Sequence, residues 1–346
     1  MSSHDGKDLY VNARRIAIAG CTGAVGRSLL QLIEERVFPT SELRLMASAR
    51  SAGTAVTALG RTTVVEDLAT ADFTGTDIAF FSAGTAVSAQ WAAKAAAAGA
   101  LVVDNTNAFR MDLDSPLVVP QVNGALLAER PVSGIVANPN CSTIPLVRLL
   151  QPMHEAYGLR RVTAATYQAA SGGGQSGIEE LRAGSRNVLE GWPAAAERFP
   201  EPLAFNVVPA IDRFQDDGST LEERKMRQES RRILELPSLD LTATCVRVPV
   251  ENGHSEAVVV DCEHPVTAAG LTELFAAQPE VEVWTDRVPT PRTVTARPDH
   301  VHVGRVRVDP EQPTRALFWL VADNLRIGAA LNALQIAERA VEEGIV

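Results

Sequence analysis

The sequence predicts an α/β fold: a Rossmann-type doubly wound parallel sheet, plus an α+β domain in the second half of the chain. In the first half, short β-type runs alternate with helical patterns, which is typical of a parallel sheet with helices on both faces. A glycine-rich turn at 20–26 follows the first β-type run and opens a helical pattern, as in dinucleotide-binding βα units. After about residue 160, β-rich runs dominate, and this mixed order favours an α+β domain.

The elements of the first half follow one another at short intervals. The β-type runs lie at 15–19, 43–47, 62–65, 78–81, 101–104 and 135–137. Helical patterns fill 24–36 and 87–98, and Gly99 ends the second of them. We therefore expect a dinucleotide-binding domain over residues 1–140, with residues 1–14 disordered ahead of the first strand.

The second half of the chain has a different pattern of predicted elements. Its β-type runs lie at 162–169, 242–250, 257–262, 302–308 and 315–321. They indicate a largely antiparallel sheet in a domain over residues 141–324. The last segment, 325–346, contains a strongly amphipathic helix at 327–343, which we expect to pack back on the first domain.

Composition narrows the class of protein. The net charge of −10 argues against nucleic acid as a partner, and no apolar run approaches the length of a membrane span. The polar N-terminus has no apolar core of a secretory signal. The four cysteines show neither metal-ligand spacing nor a dense disulfide pattern, so we expect a protein of the reducing cytoplasm.

The most informative segment surrounds Cys141, which stands just before a helical run at 144–153. Pro145 is compatible with the first turn of such a helix. A thiol at a helix N-terminus faces unpaired backbone N–H groups and the positive end of the dipole, and both favour the nucleophilic thiolate. A buried structural cysteine is the alternative for this residue type.

The glycine turn predicts the cofactor class. Gly20, Gly23 and Gly26 allow a tight turn and a close approach of the backbone to a pyrophosphate, although an ordinary βα turn would also use glycine. An NAD site usually has an acidic residue after the second strand, where this chain has Arg50 between serines. We therefore expect NADP, with a solvated surface arginine as the alternative for Arg50.

Further segments carry a family resemblance. They are 20–26, Ala47-Ser48-Ala49-Arg50-Ser51-Ala52-Gly53, 81–84, 104–111, 120–123, Asn138-Pro139-Asn140-Cys141-Ser142-Thr143, 166–172, 222–226, 247–250, 253–255 and 323–326. With these segments, which run nearly end to end, the chain resembles the bacterial aspartate-β-semialdehyde dehydrogenase family. The resemblance implies NADPH-dependent reductive dephosphorylation of L-aspartyl-4-phosphate to L-aspartate 4-semialdehyde, in lysine, threonine, methionine and diaminopimelate biosynthesis. It also implies a homodimer whose dimer face belongs to the second domain.

The resemblance assigns three catalytic residues. Cys141 would displace phosphate and form a thioester, which splits one difficult step into two easier ones. His254 would shuttle the proton needed when the thiohemiacetal collapses, because imidazole titrates near neutral pH. Gln168 would orient the substrate or the surroundings of Cys141. The alternatives are a structural loop histidine and a polar strand residue.

Five further positions match the family's substrate site. Arg110, Asn140 and Lys225 match phosphate positions, and Arg247 matches the arginine whose fork binds the substrate carboxylate. Glu222 matches the residue that meets the substrate ammonium. Because Glu222 and Lys225 are three apart on a helical pattern at 220–234, an ordinary surface ion pair is the alternative.

The resemblance also implies a set of cofactor-binding residues, and the residue pattern gives no reason to expect a metal. These residues are Gly20, Thr22, Gly23, Ala24, Val25, Gly26, Ser48, Arg50, Ser51, Ser82, Gly84, Ser171, Gly172 and Asn324. His300 and His302 could share a strand face, but the sequence shows no third ligand beside them, so we interpret both as structural.

Two other functions remain open at this point. N-acetyl-γ-glutamyl-phosphate reductase uses the same chemistry on a longer, acylated substrate, but its cysteine segment typically reads His-Pro-Gly-Cys-Tyr. A catalytically inactive NADP-binding paralogue would be expected to lose the nucleophile, whereas this chain keeps Cys141 and His254.

Overall fold

A computed structural model describes residues 13–346, apart from the side chain of Thr295. The chain divides into two compact units, one formed by the residues up to Pro139 together with 330–346, the other by Asn140–Ala329. The disorder expected for residues 1–14 falls almost entirely outside the described residues. Arg14, however, already belongs to the first strand, because its N–H donates to the Pro39 carbonyl oxygen at 2.8 Å.

Fourteen strands and eight helices are described, besides short 3-10 turns. The strands are β1 (Arg14–Ala19), β2 (Thr40–Ala47), β3 (Ala55–Ala58), β4 (Arg61–Val64), β5 (Glu66–Asp67), β6 (Ile78–Phe81), β7 (Leu101–Asp104), β8 (Ile135–Ala137), β9 (Leu159–Gln168), β10 (Asp240–Arg247), β11 (His254–Cys262), β12 (Val281–Trp284), β13 (Val301–Asp309) and β14 (Gln312–Ala322). The helices are α1 (Ala24–Glu35), α2 (Thr85–Ala97), α3 (Pro120–Asn123), α4 (Thr143–Tyr157), α5 (Gln175–Leu189), α6 (Leu221–Ile233), α7 (Ala268–Ala276) and α8 (Leu331–Glu342). None of these helices is long and apolar enough to cross a membrane.

The first unit contains the predicted parallel sheet, with strand order β5-β2-β1-β6-β7-β8 and parallel pairing throughout. Its central strands are apolar and buried on both faces, as expected where helices cover both sides of a sheet. The Rossmann-type prediction is therefore confirmed.

One predicted strand does not belong to the parallel sheet. The run at 62–65 corresponds to β4, which pairs antiparallel with β3 in a separate hairpin and not with the parallel sheet. Leu59 and Gly60 connect the two strands and both have positive φ, 52° and 68°. Two successive residues of this conformation are the requirement of a tight hairpin turn.

The end of the chain belongs to the first unit. A π-helical turn at Arg326–Ala330 leads into α8, so the helical region expected at 327–343 begins with a wide turn. Within the unit, the Arg36 guanidinium pairs with the Glu338 carboxylate at 2.7 Å. The buried Asn332 amide donates to the Val118 carbonyl oxygen at 3.0 Å.

The second unit contains a mixed sheet with strand order β10-β9-β11-β14-β13-β12. Three of its five strand pairs are antiparallel, whereas β9 pairs parallel with β10 and β12 with β13. Because β9 and β10 are parallel and β11 runs the other way, the ends of β9 and β10 lie beside the start of β11. The antiparallel partner β14 ends there too, so four chain segments meet at one end of the sheet.

Candidate active site

The register of the mixed sheet brings predicted site residues together. Gln168 pairs with Arg247 at the ends of β9 and β10. His254 begins β11 and pairs with Ala322, two residues before Asn324. Gln168, Arg247, His254 and Asn324 are all buried. One end of the sheet therefore concentrates polar groups that were far apart in the sequence.

Cys141 is a partly exposed residue in a turn just before α4 and forms no disulfide. The N–H groups of Ser142 and Thr143 donate to the Asn140 side-chain oxygen at 2.9 and 3.4 Å, and the Ile144 N–H donates to the Asn140 backbone oxygen at 3.0 Å. The expectation of unpaired N–H groups beside the thiol is therefore wrong for these three. The short Asn side chain folds back over the helix start and takes up donors that the helix cannot satisfy.

The Glu222 carboxylate is the centre of a buried polar network. One of its oxygens accepts from the Asn140 amide at 2.9 Å and from the Gln168 amide at 3.0 Å. The other lies 3.3 Å from the Lys225 ammonium. Burial alone would raise the pKa of Glu222, but Lys225, the two amides and the charge of Arg247 together hold that pKa below its usual value. Glu222 is therefore a charged group fixed inside the protein.

The helix start places Glu222 in this position. The Thr220 hydroxyl accepts from the Glu223 N–H, while the Glu223 carboxylate accepts from the Thr220 N–H, which is a capping box at the start of α6. Glu222 is only 5% exposed, so the Glu222–Lys225 pair is not the exposed surface pair considered as an alternative. The Lys225 ammonium also bonds the Asp212 carboxylate at 2.8 Å.

The backbone of one residue, Ala169, contacts both Arg247 and His254. The Arg247 guanidinium donates to the Ala169 carbonyl oxygen at 2.7 Å, and the Ala169 N–H donates to Nδ1 of His254 at 3.1 Å. Burial, and to a lesser extent the charge of Arg247, holds the pKa of His254 well below its usual value. His254 is therefore neutral at physiological pH in this environment.

The predicted cofactor-binding residues of the second unit surround the same histidine. The Ser171 hydroxyl exchanges hydrogen bonds with the Asn324 amide, and the Asn324 oxygen accepts from the Gly253 N–H at 2.9 Å. A Cβ at Gly172 would come within 2.5 Å of Nη1 of Arg247 and within 3.3 Å of Nε2 of His254. Only glycine leaves this space open.

The first unit contains a cavity of about 410 Å³ beside the glycine turn. Five of its lining residues were predicted cofactor contacts: Gly20, Thr22, Gly23, Ser48 and Ser82. Asp67 and Trp91 also line it, whereas the predicted Arg50 and Ser51 do not.

The glycine turn itself fits a dinucleotide. Gly20 has a φ of 92°, and a Cβ there would come within 2.7 Å of the Ser82 backbone. A Cβ at Gly26 would come within 2.3 Å of the Gly20 carbonyl oxygen. Gly23, Ala24 and Val25 form the start of α1, where no described side chain caps the helix, and Gly84 precedes α2. A pyrophosphate could therefore lie close to the backbone of the turn and accept hydrogen bonds from the uncapped start of α1.

Arg110 lies in the first unit, unlike the other four predicted substrate-binding residues. Its guanidinium is buried and donates to the carbonyl oxygens of Asn138 and Asn105, both at 2.9 Å. Backbone carbonyls thus fix the orientation of this cation.

The histidine pair shows no metal-like arrangement. His302 is buried, and its Nδ1 accepts from the indole N–H of Trp284 at 3.1 Å. Among residues 13–346, no group of three or more His, Cys, Asp or Glu side chains is arranged to hold a metal ion.

Comparison with known proteins gives family matches over both units. The family model described as semialdehyde dehydrogenase, NAD binding domain, matches residues 15–130, and the one described as semialdehyde dehydrogenase, dimerisation domain, matches 150–327. The chain is 44% identical to aspartate-semialdehyde dehydrogenase 2 of Vibrio cholerae, over 95% of this chain and 98% of that protein. It is 46% identical to the aspartate-semialdehyde dehydrogenase of Legionella pneumophila, over 93% and 94% of the two chains.

The chain belongs to the aspartate-semialdehyde dehydrogenase family. A crystal structure of aspartate semialdehyde dehydrogenase II from Vibrio cholerae complexed with ASA has a TM-score of 0.93 to this chain, at 44% identity, and covers 95% of this chain and 98% of that one. The family resemblance drawn from the sequence is thus confirmed.

Some residues of this family member's site were missed by sequence reasoning. Ala169 acts through its backbone, which has no side-chain signal. Asp212 has a φ of 69° and meets Lys225 from a loop. Glu229 accepts from the Asn140 N–H at 2.6 Å, and it was detectable as an acidic residue two helical turns after Glu222.

Proposed function

We propose that this chain catalyses NADPH-dependent conversion of L-aspartyl-4-phosphate to L-aspartate 4-semialdehyde and phosphate. The observation that carries this proposal is the buried pair of opposite charges near Cys141. Glu222 accepts from the amide of Asn140, the residue before Cys141, and from the amide of Gln168. Gln168 pairs with Arg247 in the sheet, and both Glu222 and Arg247 are buried. A substrate with an ammonium group and a carboxylate matches these two charges.

The chemistry runs through Cys141. Its thiolate forms a C–S bond with the acyl carbon, the C–O bond to phosphate breaks, and phosphate leaves as an anion. When bound, NADPH supplies the hydride that reduces the thioester carbon. The carbonyl electron pair moves to oxygen, then returns as the C–S bond breaks, which releases the aldehyde and regenerates the thiolate.

The proposed substrate-binding side chains divide the remaining work. Arg247 can bind the substrate carboxylate with the guanidinium edge that Ala169 leaves free. Glu222 faces the ammonium, and Gln168 holds Glu222 in place. Lys225, Asn140 and Arg110 are the candidate groups for the phosphate.

The preference for NADP rests on the turn after β2. Ser48, Arg50 and Ser51 lie there, and no carboxylate stands in the positions that an NAD site would use for the ribose hydroxyls. Arg50 is exposed and available to a 2′-phosphate.

We also propose a cytoplasmic homodimer. One face of the mixed sheet carries Tyr167, which is 40% exposed, and its ring packs at 5.3 Å from that of Trp319. An uncovered sheet face with aromatic side chains suits a second copy of the chain, in agreement with the dimerisation domain matched here. The described cysteines are all unpaired, as in a reducing compartment. Sedimentation equilibrium would test this assembly, and a monomer at micromolar concentration would contradict it.

The decisive experiment compares two aldehydes with one enzyme. Purified protein, phosphate and NADP are mixed with aspartate semialdehyde or N-acetylglutamate semialdehyde, and reduction of the nicotinamide is followed by absorbance. We expect strong preference for aspartate semialdehyde, because acetylation removes the ammonium that pairs with Glu222, and losing one partner of a buried pair costs about 2–5 kcal/mol. Equal kcat/KM for both would favour the acetylglutamyl enzyme, and no turnover of either would favour an inactive paralogue.

A further inference from the structure

Asp104 is a buried acidic residue that the proposed chemistry does not use. It ends β7, at the carboxyl edge of the parallel sheet, where ligands of such folds bind. One of its carboxylate oxygens accepts from the Ser88 hydroxyl at 2.8 Å and from the Thr106 N–H at 3.2 Å. The other oxygen accepts from the Thr106 hydroxyl at 2.8 Å. All three of these partners act as donors, so the arrangement suits a charged carboxylate, which only accepts.

The side chain of Asp104 fixes the turn that leads from β7 to Arg110. An aspartate that bonds the backbone N–H two residues on closes a compact turn, and Thr106 supplies that N–H here. The Thr106 hydroxyl in turn accepts from the Ala108 N–H at 3.2 Å. Ser88 belongs to α2, which packs on β7, so its bond ties the carboxylate to a buried helix.

The two carbonyl oxygens that orient Arg110 are fixed beside Asp104. They belong to Asn105 and Asn138, and the Arg110 guanidinium donates to both at 2.9 Å. Asn105 directly follows Asp104, and the Asn138 N–H donates to the Asp104 carbonyl oxygen at 2.8 Å. The amide of Asn138 also donates to the side-chain oxygen of Asn105 at 2.8 Å. The orientation of the guanidinium therefore depends on the backbone around Asp104.

Electrostatics agree with this arrangement. Burial raises the pKa of Asp104, whereas its three hydrogen bonds and the positive charge of Arg110 oppose the rise. The carboxylate and the guanidinium are thus opposite charges in one buried part of the first unit, joined through the turn and not through a direct bond described between them.

We propose that Asp104 is a positioning residue for phosphate binding, because its carboxylate fixes the turn at 105–108 and thereby the orientation of the Arg110 guanidinium. This inference rests on the proposed function, in which Arg110 is a candidate group for the phosphate. A guanidinium binds phosphate best through two parallel hydrogen bonds, so a small rotation weakens both. Asp104 needs no contact with the substrate, since it acts through Thr106 and the backbone of Asn105.

The reaction run from the aldehyde isolates this role, because phosphate is then a separate substrate with its own KM. Initial rates are measured with aspartate semialdehyde, NADP and varied phosphate, and then with each of the other two substrates varied. Asp104→Asn removes the charge, Thr106→Val removes the hydroxyl at nearly constant shape, and Thr106→Ser keeps the hydroxyl.

Asp104→Asn and Thr106→Val should raise the KM for phosphate about tenfold, the effect of weakening one charge-assisted hydrogen bond. The KM values for aspartate semialdehyde and NADP should change less than about twofold, and Thr106→Ser should behave like wild type. An unchanged KM for phosphate in both variants would overturn the inference. So would a proportional rise of all three KM values, because that is the result expected of a residue that only stabilises the fold.

Asp77→Asn is the matched control. Asp77 pairs with Arg15 at 2.7 Å just before β6, at the opposite edge of the same sheet, so its replacement removes a carboxylate far from the turn at 105–108. This variant should leave all three KM values unchanged. Thermal unfolding of every variant checks that each is folded.

A titration of inorganic phosphate followed by phosphorus-31 NMR gives a readout that needs no turnover. Asp104→Asn should bind phosphate about tenfold more weakly than wild type and than Asp77→Asn. Equal affinity in all three proteins would overturn the inference. If the difference were found in a protein that does not convert aspartate semialdehyde, the proposed function would fail while the positioning role stood.

Discussion

Gly328 lies directly against Cys141. A Cβ built on Gly328 would come within 2.8 Å of the Cys141 Cβ and within 2.9 Å of its carbonyl oxygen. Gly328 sits in the π-helical turn, and its N–H donates to the Asp323 carbonyl oxygen at 3.1 Å. Backbone atoms thus confine the candidate nucleophile from a segment far away in the sequence.

This contact predicts that Gly328→Ala displaces Cys141. A displacement of about 1 Å can cost about 10²-fold in rate, so kcat should fall by up to that amount. Binding of NADP, measured by fluorescence titration, should be unchanged. Gly124→Ala is the matched control, because Gly124 has a helical φ of −57° and the nearest contact of an added Cβ would be at 3.9 Å. Full activity in Gly328→Ala would show that the π-helical turn shifts to accommodate the methyl group without moving the thiol.

The nucleophile should be distinguishable from the other thiols. Burial raises the pKa of Cys21 and of Cys262 to about 11, and it raises that of Cys245 further. These thiols are therefore protonated at neutral pH, and iodoacetamide should modify the partly exposed Cys141 first. Peptide mapping identifies the modified residue.

Replacing the thiol should abolish the chemistry and spare the cofactor site. Cys141→Ser should lose several orders of magnitude in kcat, because serine supplies no anion at neutral pH. Cys262→Ser serves as the control and should keep its activity. Wild-type enzyme that remains active after complete alkylation of Cys141 would contradict the thioester route.

Glu222 should make stability depend on pH. The pKa of Glu222 is lower in the folded protein than the ordinary value of 4.5, which approximates its pKa in the unfolded chain. The charged carboxylate therefore stabilises the fold fully above the unfolded-state pKa, and this stabilisation is lost as the pH falls through the folded-state pKa. At pH 7, Glu222→Gln should be less stable than wild type by about 1.5–3 kcal/mol, because the Asn140 and Gln168 amides lose a charged acceptor while Lys225 keeps Asp212. Urea unfolding should show this difference shrinking as the pH falls below about 4.5. A difference that stays constant with pH would mean that Glu222 is uncharged in the native state.

Arg50 should select the phosphorylated cofactor. Arg50→Ala should weaken NADPH binding far more than NADH binding, because only NADPH has the 2′-phosphate. Arg61→Ala removes another exposed arginine of the same unit and should affect neither cofactor. Calorimetric titration gives both dissociation constants, and equal weakening for the two cofactors would assign Arg50 a role in the fold.

The sequence predicted what depends on local pattern. The glycine turn after β1 and the apolar runs of β6 and β7 led to the parallel sheet, because these signals lie within a few residues of one another. The position of Arg247 beside Gln168 depends on register, which two strands far apart in the sequence do not reveal locally. Likewise, the cap that Asn140 provides depends on its χ angles, and the need for glycine at 328 appears only when Cys141 is placed beside it.

The backbone of Ala169 has a consequence for how this site can change. Its carbonyl oxygen accepts from Arg247, the proposed carboxylate-binding residue, and its N–H donates to His254, the proposed catalytic histidine. These two groups belong to the peptide units on either side of one Cα, so a mutation that moves Ala169 to admit a different acid would also shift the imidazole. Redesign toward new substrates therefore has to change side chains such as Glu222 and leave the backbone after β9 unchanged. Selectivity should be easier to alter where the substrate ammonium binds than where its carboxylate binds.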